Sequence, residues 1–303
     1  MARRLNHYIV DKSASTVQNP VDGQGKGGEW LWLKYSGTVD PLLDTDWTAS
    51  WKRIVEARQG QAWVFHDPHY WDARAKSFAA ETSRRKDGFI ELLEPWLGPH
   101  KTLIDVGAGA GRYAAPLADR LDWVTAVEPS QGMRDLIPAC DNMTVIATDW
   151  EQAEPAPADL VICCHVMYGV PAAPAFIAKL EAAATERVFI QLRYGQLRTP
   201  SDPLWELMVG SARARQPQFG DLWNLLEQLD IHPDVAVLEY QGAQSWASLD
   251  DFLAEYRPPL ESHWDEAKAE AWIATNLATE ADGRLVYGRG LSRAGVAHWR
   301  PRR

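Results

Sequence analysis

The sequence predicts an α/β fold, a doubly wound and largely parallel sheet with extra helices before and after it, on the strength of three observations. Short apolar strands alternate with helices from about residue 101 to 193, the pattern of a sheet wrapped on both faces. A glycine-rich loop, Asp105-Val106-Gly107-Ala108-Gly109-Ala110-Gly111, stands where the first of these strands hands over to a helix. An acid, Glu128, closes the second strand.

Residues 1–45 mix polar, glycine and proline positions with one alternating stretch, Glu29 to Tyr35, and read as an arm that wraps the domain. From Asp46 to about Leu97 the period becomes helical: Trp47, Trp51, Ile54 and Val55 share one face, and a second helical stretch begins after Pro68. TLIDV, WVTAVEP, MTVIATD, DLVICCHV and RVFIQLR are then five strands, with GRYAAPLADRL, SQGMRDLIPAC and PAFIAKLEAAA as helices between them. Beyond 193 the pattern loosens. GDLWNLLEQLDI, SLDDFLAEY and HWDEAKAEAWIATNLATEAD read as helices, DVAVLEYQ as a strand and AGVAHWRP as a last strand. The expected organisation is an arm and helical cap over 1–97 and a sheet domain over 98–303, with a substrate-facing insertion at about 195–285.

The chain has 303 residues, enough for a full core, and 31 Lys plus Arg against 41 Asp plus Glu give a net charge of -10. That is the wrong sign for holding a polyphosphate backbone over a broad surface, so a small-molecule substrate is expected and nucleic acid is not. No apolar run approaches membrane-helix length and the N-terminus lacks a signal-peptide core, so the expected compartment is the cytoplasm. Cys140, Cys163 and Cys164 read as buried, reduced thiols. Most of the fifteen tryptophans read as packing residues. Oligomeric state is not legible.

Glycines at a strand-to-helix turn let a ligand approach the backbone, and the amides there point at it. The spacing is G-x-G-x-G with an aspartate two residues ahead, unlike the G-x-G-x-x-G of dinucleotide sites, which disfavours NAD. Glu128 lies where a carboxylate accepts both hydroxyls of a ribose.

LIDVGAGAGRYA followed by VTAVEPSQGM resembles the first two motifs of class I S-adenosylmethionine-dependent methyltransferases. The resemblance implies a Rossmann-like sheet of the seven-stranded methyltransferase type with S-adenosyl-L-methionine as cofactor. It assigns the methionine part of the cofactor to the loop at Asp105, Gly107, Ala108, Gly109 and Gly111, and the ribose to Glu128, with Pro129 and Met133 in the same motif. Asp149, after the third strand, faces the adenine amine in this match, with Trp150 beside the ring. DLVICCHVMYGV resembles the fourth-strand segment, whose end faces the transferring methyl and brings His165 to it. Trp71 to Ala79 is similar to the helix that closes over the cofactor in small-molecule members, so Trp71 is a further cofactor contact.

Methyl transfer needs alignment, plus a base where the nucleophile is protonated. His165 is the best base candidate, at the carboxyl edge of the sheet, and Tyr168 lines the same pocket. His66, His69, Tyr70 and Trp71 cluster before the closing helix, where His69 and Tyr70 bring an imidazole and a phenol over the methyl group. Two histidines three apart lack a spaced third ligand, so no metal is expected. DPHY at 67–70 superficially resembles the D-P-P-Y signature of amino-methylating DNA enzymes, without its second proline. The expected activity is therefore methyl transfer to O, N, S or C of a small molecule. A protein or nucleic-acid methyltransferase, a non-catalytic cofactor-binding module and a nicotinamide oxidoreductase, which the glycine spacing disfavours, are the rivals.

Overall fold

The strands β1 (Thr102–Val106) and β4 (Ala158–Cys164) are nearly continuous apolar runs, and each is buried on both faces. The computed structural model describes residues 45–61, 70–72, 74–75, 88–195 and 199–302. All of these except Thr45 belong to one unit, Asp46–Arg303. The arm at 1–44, His66 and DPHY up to His69 lie outside the described residues.

Around β1 and β4 stand β2 (Trp123–Val127), β3 (Met143–Ile146), β5 (Ala184–Tyr194), β6 (Asp234–Trp246) and β8 (Leu285–Trp299), in the order β3-β2-β1-β4-β5-β8-β6. The two-residue β7 (Ala278–Thr279) pairs only with β8. The first five strands pair in parallel, while β8 runs antiparallel to both β5 and β6. The expected doubly wound sheet is therefore present.

One face is covered by α1 (Trp47–Gln59), α5 (Ala173–Ala183) and α7 (Phe219–Gln228), whose Trp51, Phe176 and Leu222 share a core with Ile104 and Val161. The other face is covered by α2 (Phe89–Leu93) and α3 (Ala114–Ala118), which bury Phe89 and Leu117 against Leu103 and Leu160. Asp46 caps α1 by accepting from Ala49 N at 3.0 Å, and Trp51 Nε1 donates to Val170 O at 2.8 Å, tying the helix to the chain after β4. Because β2 and β4 flank β1 on opposite sides, winding reverses there and a crevice opens at the carboxyl ends of β1 and β4.

Several elements differ from the expectation. The helix read over SQGMRDLIPAC is only α4 (Gln131–Arg134), since Pro138 disfavours helical backbone at Ile137. The helix read to Asp282 is α9 (Glu266–Asn276), and the chain beyond it extends to pair with β8 before a turn at Gly283. The last strand begins at Leu285, nine residues before AGVAHWRP, because the glycine-rich half of β8 is held by pairing with β6 rather than by its own propensity. The helix α6 (Ser201–Val209) has no counterpart among the expected elements. His165 stands just past β4 rather than in it. Only Cys163 is a fully buried thiol, while Cys140 and Cys164 are half-buried.

Pairing between β5 and β8 stops at Tyr194↔Arg293, but β6 and β8 continue together to Trp246↔Leu285. The extra length runs past the carboxyl edge of the sheet, beside the crevice, as a two-stranded ribbon. It is backed by a third apolar cluster in which Leu204 and Met208 of α6, Phe252 and Tyr256 of α8 (Leu249–Tyr256) and Ala269 of α9 surround Trp246. Trp205, Trp264 and Trp272 pack here too, and Trp223 packs on the sheet core. No helix among the described residues is long and apolar enough to cross a membrane.

Candidate active site

At the end of β1 the chain turns sharply into the glycine loop. Gly107 N and Ala108 N both donate to Val127 O, at 2.8 and 3.1 Å, which staples the loop to the end of β2. Gly107 has φ +70°, and a Cβ there would lie 2.4 Å from a methyl of Val166, so the position excludes any side chain twice over. Below it Asp105 is fully buried with Oδ2 unpartnered. Burial, with the Glu128 charge adding to it, pushes the Asp105 carboxyl up to about 7.

Glu128 comes directly after β2 and is held from both sides: Oε2 accepts from Gly109 N at 2.8 Å and Oε1 from Ser130 N at 2.9 Å. Each oxygen keeps a lone pair for a ligand. Burial raises the Glu128 carboxyl above its ordinary range, against the pull of those two amides. Ser130 caps α4 by accepting from Met133 N at 3.2 Å, and its hydroxyl donates to Asp72 Oδ1 at 2.6 Å. Gly132 N donates to the same oxygen at 2.8 Å, and a Cβ on Gly132 would sit 2.9 Å from the Asp72 backbone. The helical residues Tyr70, Trp71, Asp72, Arg74 and Ala75 thereby dock against the turn that carries Glu128. Asp72→Ala removes both bonds, and about a tenfold weaker affinity for S-adenosylhomocysteine is expected, measured by calorimetry at unchanged melting temperature.

Trp150 is buried, tilted against Phe176 at 6.5 Å between centroids, with the Lys179 ammonium 5.3 Å over its ring. His165 has φ +62°, in the left-handed region that costs a residue other than glycine about 1–2 kcal/mol. The surroundings hold it there: His165 N donates to Gln191 O at 2.9 Å, and the ring lies nearly parallel to that of Tyr168, with an interplanar angle of 9° and 6.1 Å between centroids. His165 Nδ1 lies 3.0 Å from the Tyr168 hydroxyl, which accepts from Arg193 N at 2.9 Å.

A cavity of about 830 Å³ joins these residues, within the usual range of ligand sites. Of the residues expected from the sequence, Gly107, Gly109, Glu128, Pro129, Met133, Asp149, Trp150, Trp71, His165, Tyr168 and Tyr70 are on its wall. Asp105, Ala108 and Gly111 are not: Asp105 lies beneath the loop, the Ala108 amide is spent on Val127, and Gly111 packs under Ile137 and Pro138. His69 is outside the described residues. Burial lifts the Tyr70 phenol to about 12, so it stays protonated well above neutral pH. The sequence does not single out Val166 within DLVICCHVMYGV, nor does it give the far half of the wall, including Arg74, Thr199, Ser201, Gln216, Tyr240, Gln244 and Tyr256. Arg74 is paired with Glu255 at 2.5 Å, which ties the segment at 70–75 to α8.

Residues 77–220, just under half of the chain, match the model of a family described as a methyltransferase domain. This stretch is a methyltransferase domain. The chain also shares 30% identity over 114 residues with the N6-methyladenosine RNA methyltransferase MTA1 of Pyricularia oryzae. That match covers 34% of this chain and 30% of the relative, so it spans less than a third of that protein's length. Among solved structures, the YcgJ protein of Bacillus subtilis is similar at 10% identity and TM-score 0.46, covering 69% of this chain and 96% of that one. Magnesium protoporphyrin IX methyltransferase of Synechocystis PCC 6803, with bound S-adenosylhomocysteine, is similar at 16% identity and TM-score 0.41, covering 74% of this chain and 83% of that one. The residues of the methyltransferase domain fit the family's cofactor in kind: a side-chain-free cradle at Gly107, and a carboxylate held by two backbone amides on the same cavity wall.

Proposed function

We propose that this chain transfers a methyl group from S-adenosylmethionine to O, N, S or C of a small-molecule acceptor, releasing S-adenosylhomocysteine. The observation that carries the reading is the single cavity, in which the glycine cradle and Glu128 share a wall with the ribbon of β6 and β8 and with α6 and α8. Cofactor and acceptor then meet in one cavity, as alignment-driven transfer requires. The bound cofactor supplies an electrophilic methyl on a sulfonium.

In this reading Glu128 binds the ribose, the loop at Gly107 and Gly109 holds the amino-acid part, and Asp149 and Trp150 flank the adenine. His165 is the group that takes the acceptor's proton where there is one, and Tyr168 holds its ring. The support for His165 is its left-handed backbone, since strain held in place by packing collects at functional positions. The helical residues Tyr70, Trp71, Asp72 and Arg74, docked on the turn that carries Glu128, serve as a cap, whereas α1 and α2 pack on the faces of the sheet. His165→Ala is expected to lower kcat about 10²–10³-fold with S-adenosylhomocysteine affinity unchanged, read by single-turnover transfer of labelled methyl. An unchanged rate would remove the base from this mechanism.

The RNA methyltransferase relative favours a second reading, in which the acceptor is an RNA base. The net charge of -10 weighs against it. Labelled S-adenosylmethionine incubated with the protein and either a panel of small acceptors or single-stranded RNA separates the two. Label passing only to RNA would sink the small-molecule reading, and label passing to neither, with the cofactor bound, would point to a binding module.

A further inference from the structure

The charged side chains on the cavity wall are segregated. Glu128, Asp149 and Glu151 stand around the cofactor cradle, whereas Arg74, Arg193 and Arg293 stand on the side of the ribbon and α8. Two of the three arginines are already matched: Arg74 by Glu255 at 2.5 Å and Arg293 by Glu239 at 2.7 Å. Arg193 has no carboxylate in ion-pair reach among the described residues. Its Nε is buried without a hydrogen-bond partner, and its guanidinium lies 5.0 Å over the ring of Tyr168, whose hydroxyl meets His165. A half-buried guanidinium with unused donors is costly unless an anion completes it, and in a chain of net charge -10 an unmatched cation on a cavity wall stands out.

Resting on the methyl-transfer reading, we infer that the acceptor carries an anionic group, a carboxylate, phosphate or sulfate, which seats on Arg193 and sets the acceptor's reacting atom beside His165. The planar fork of Arg193 donates to two oxygens of such a group at once, and the Tyr168 ring beneath it restricts the fork to the cavity side. Neutral acceptors of the same size are then poor substrates, because they leave the guanidinium desolvated and unpaired.

The test uses the full chain saturated with S-adenosylhomocysteine and titrated calorimetrically with sodium phosphate and sodium sulfate, with sodium chloride as the ionic-strength control. Wild type is expected to bind either oxyanion with a millimolar Kd, Arg193→Gln about tenfold or more weakly, and Arg193→Lys in between. All three proteins should bind S-adenosylhomocysteine alike and melt alike. Equal oxyanion binding by wild type and Arg193→Gln, or none by wild type up to about 100 mM, overturns the proposal while leaving the cofactor reading intact. Failure of wild type to bind S-adenosylhomocysteine overturns the cofactor reading, and this proposal with it. Micromolar binding of a single-stranded oligoribonucleotide by wild type, with no binding of phosphate, assigns Arg193 to a polynucleotide and overturns the small-anion proposal.

Discussion

Glu128→Ala is expected to weaken S-adenosylhomocysteine binding by about 100-fold or more, which is about 3 kcal/mol. The size comes from the geometry around the carboxylate. Its two oxygens are fixed by Gly109 N and Ser130 N, so both remaining lone pairs face the cavity without any loss of rotamer freedom on binding. Alanine also strands those two amides, which loosens the loop that holds the rest of the ligand. Glu128→Gln, which keeps the shape but accepts at only one oxygen, should fall between the two. Since burial raises the Glu128 carboxyl, acidification should weaken binding in wild type at a pH above that of an ordinary glutamate. Calorimetric titration at several pH values reads both effects, and a Kd for Glu128→Ala within about threefold of wild type would refute the ribose assignment.

The second large effect is on stability, and it concerns Asp105. Its folded pKa is raised from 3.8 to about 7 by burial and by the Glu128 charge. The proton is therefore held more tightly in the folded state than in the unfolded one. The stability this brings is fully present below about pH 4 and is lost as pH rises through about 7, leaving a penalty on the order of 4 kcal/mol in alkaline solution. Asp105→Asn cannot ionise, and its carbonyl keeps the bond to Ala114 N that the carboxylate makes. Urea unfolding should show the variant gaining on wild type by about 2–3 kcal/mol between pH 5 and pH 8, the remainder of the effect falling below pH 5. A constant difference across that window would mean that Asp105 does not titrate there.

Both residues are legible as chemistry in the chain itself, but with unequal content. For Glu128 the position on the cavity wall can be read, because a strand end closed by Pro129 leaves few places for the side chain. For Asp105 the motif marks the residue as a cofactor contact, whereas the structure puts it under the loop, off the cavity wall. Its influence runs through the loop and the Glu128 charge. Ala108 and Gly111 are similar cases, since a glycine-loop spelling does not say which members face the ligand and which face the packing behind it. Val166 lies in the quoted fourth-strand segment, but its part is not legible there because it consists of a contact with Gly107 across the crevice, far away along the chain.

The parallel core, the turn at Gly107 and the acid at Glu128 are dictated by the sequence alone, because periodicity, glycine spacing and a strand end each act within a few residues. The acceptor side is set instead by folding in three dimensions. The ribbon of β6 and β8 exists because two weakly patterned segments pair with one another, and their register carries them past Tyr194↔Arg293 to wall the cavity. The left-handed backbone of His165 and the guanidinium of Arg193, which meets no carboxylate among the described residues, are likewise set by what packs around them, and contacts between residues distant in sequence leave no periodic trace in the chain.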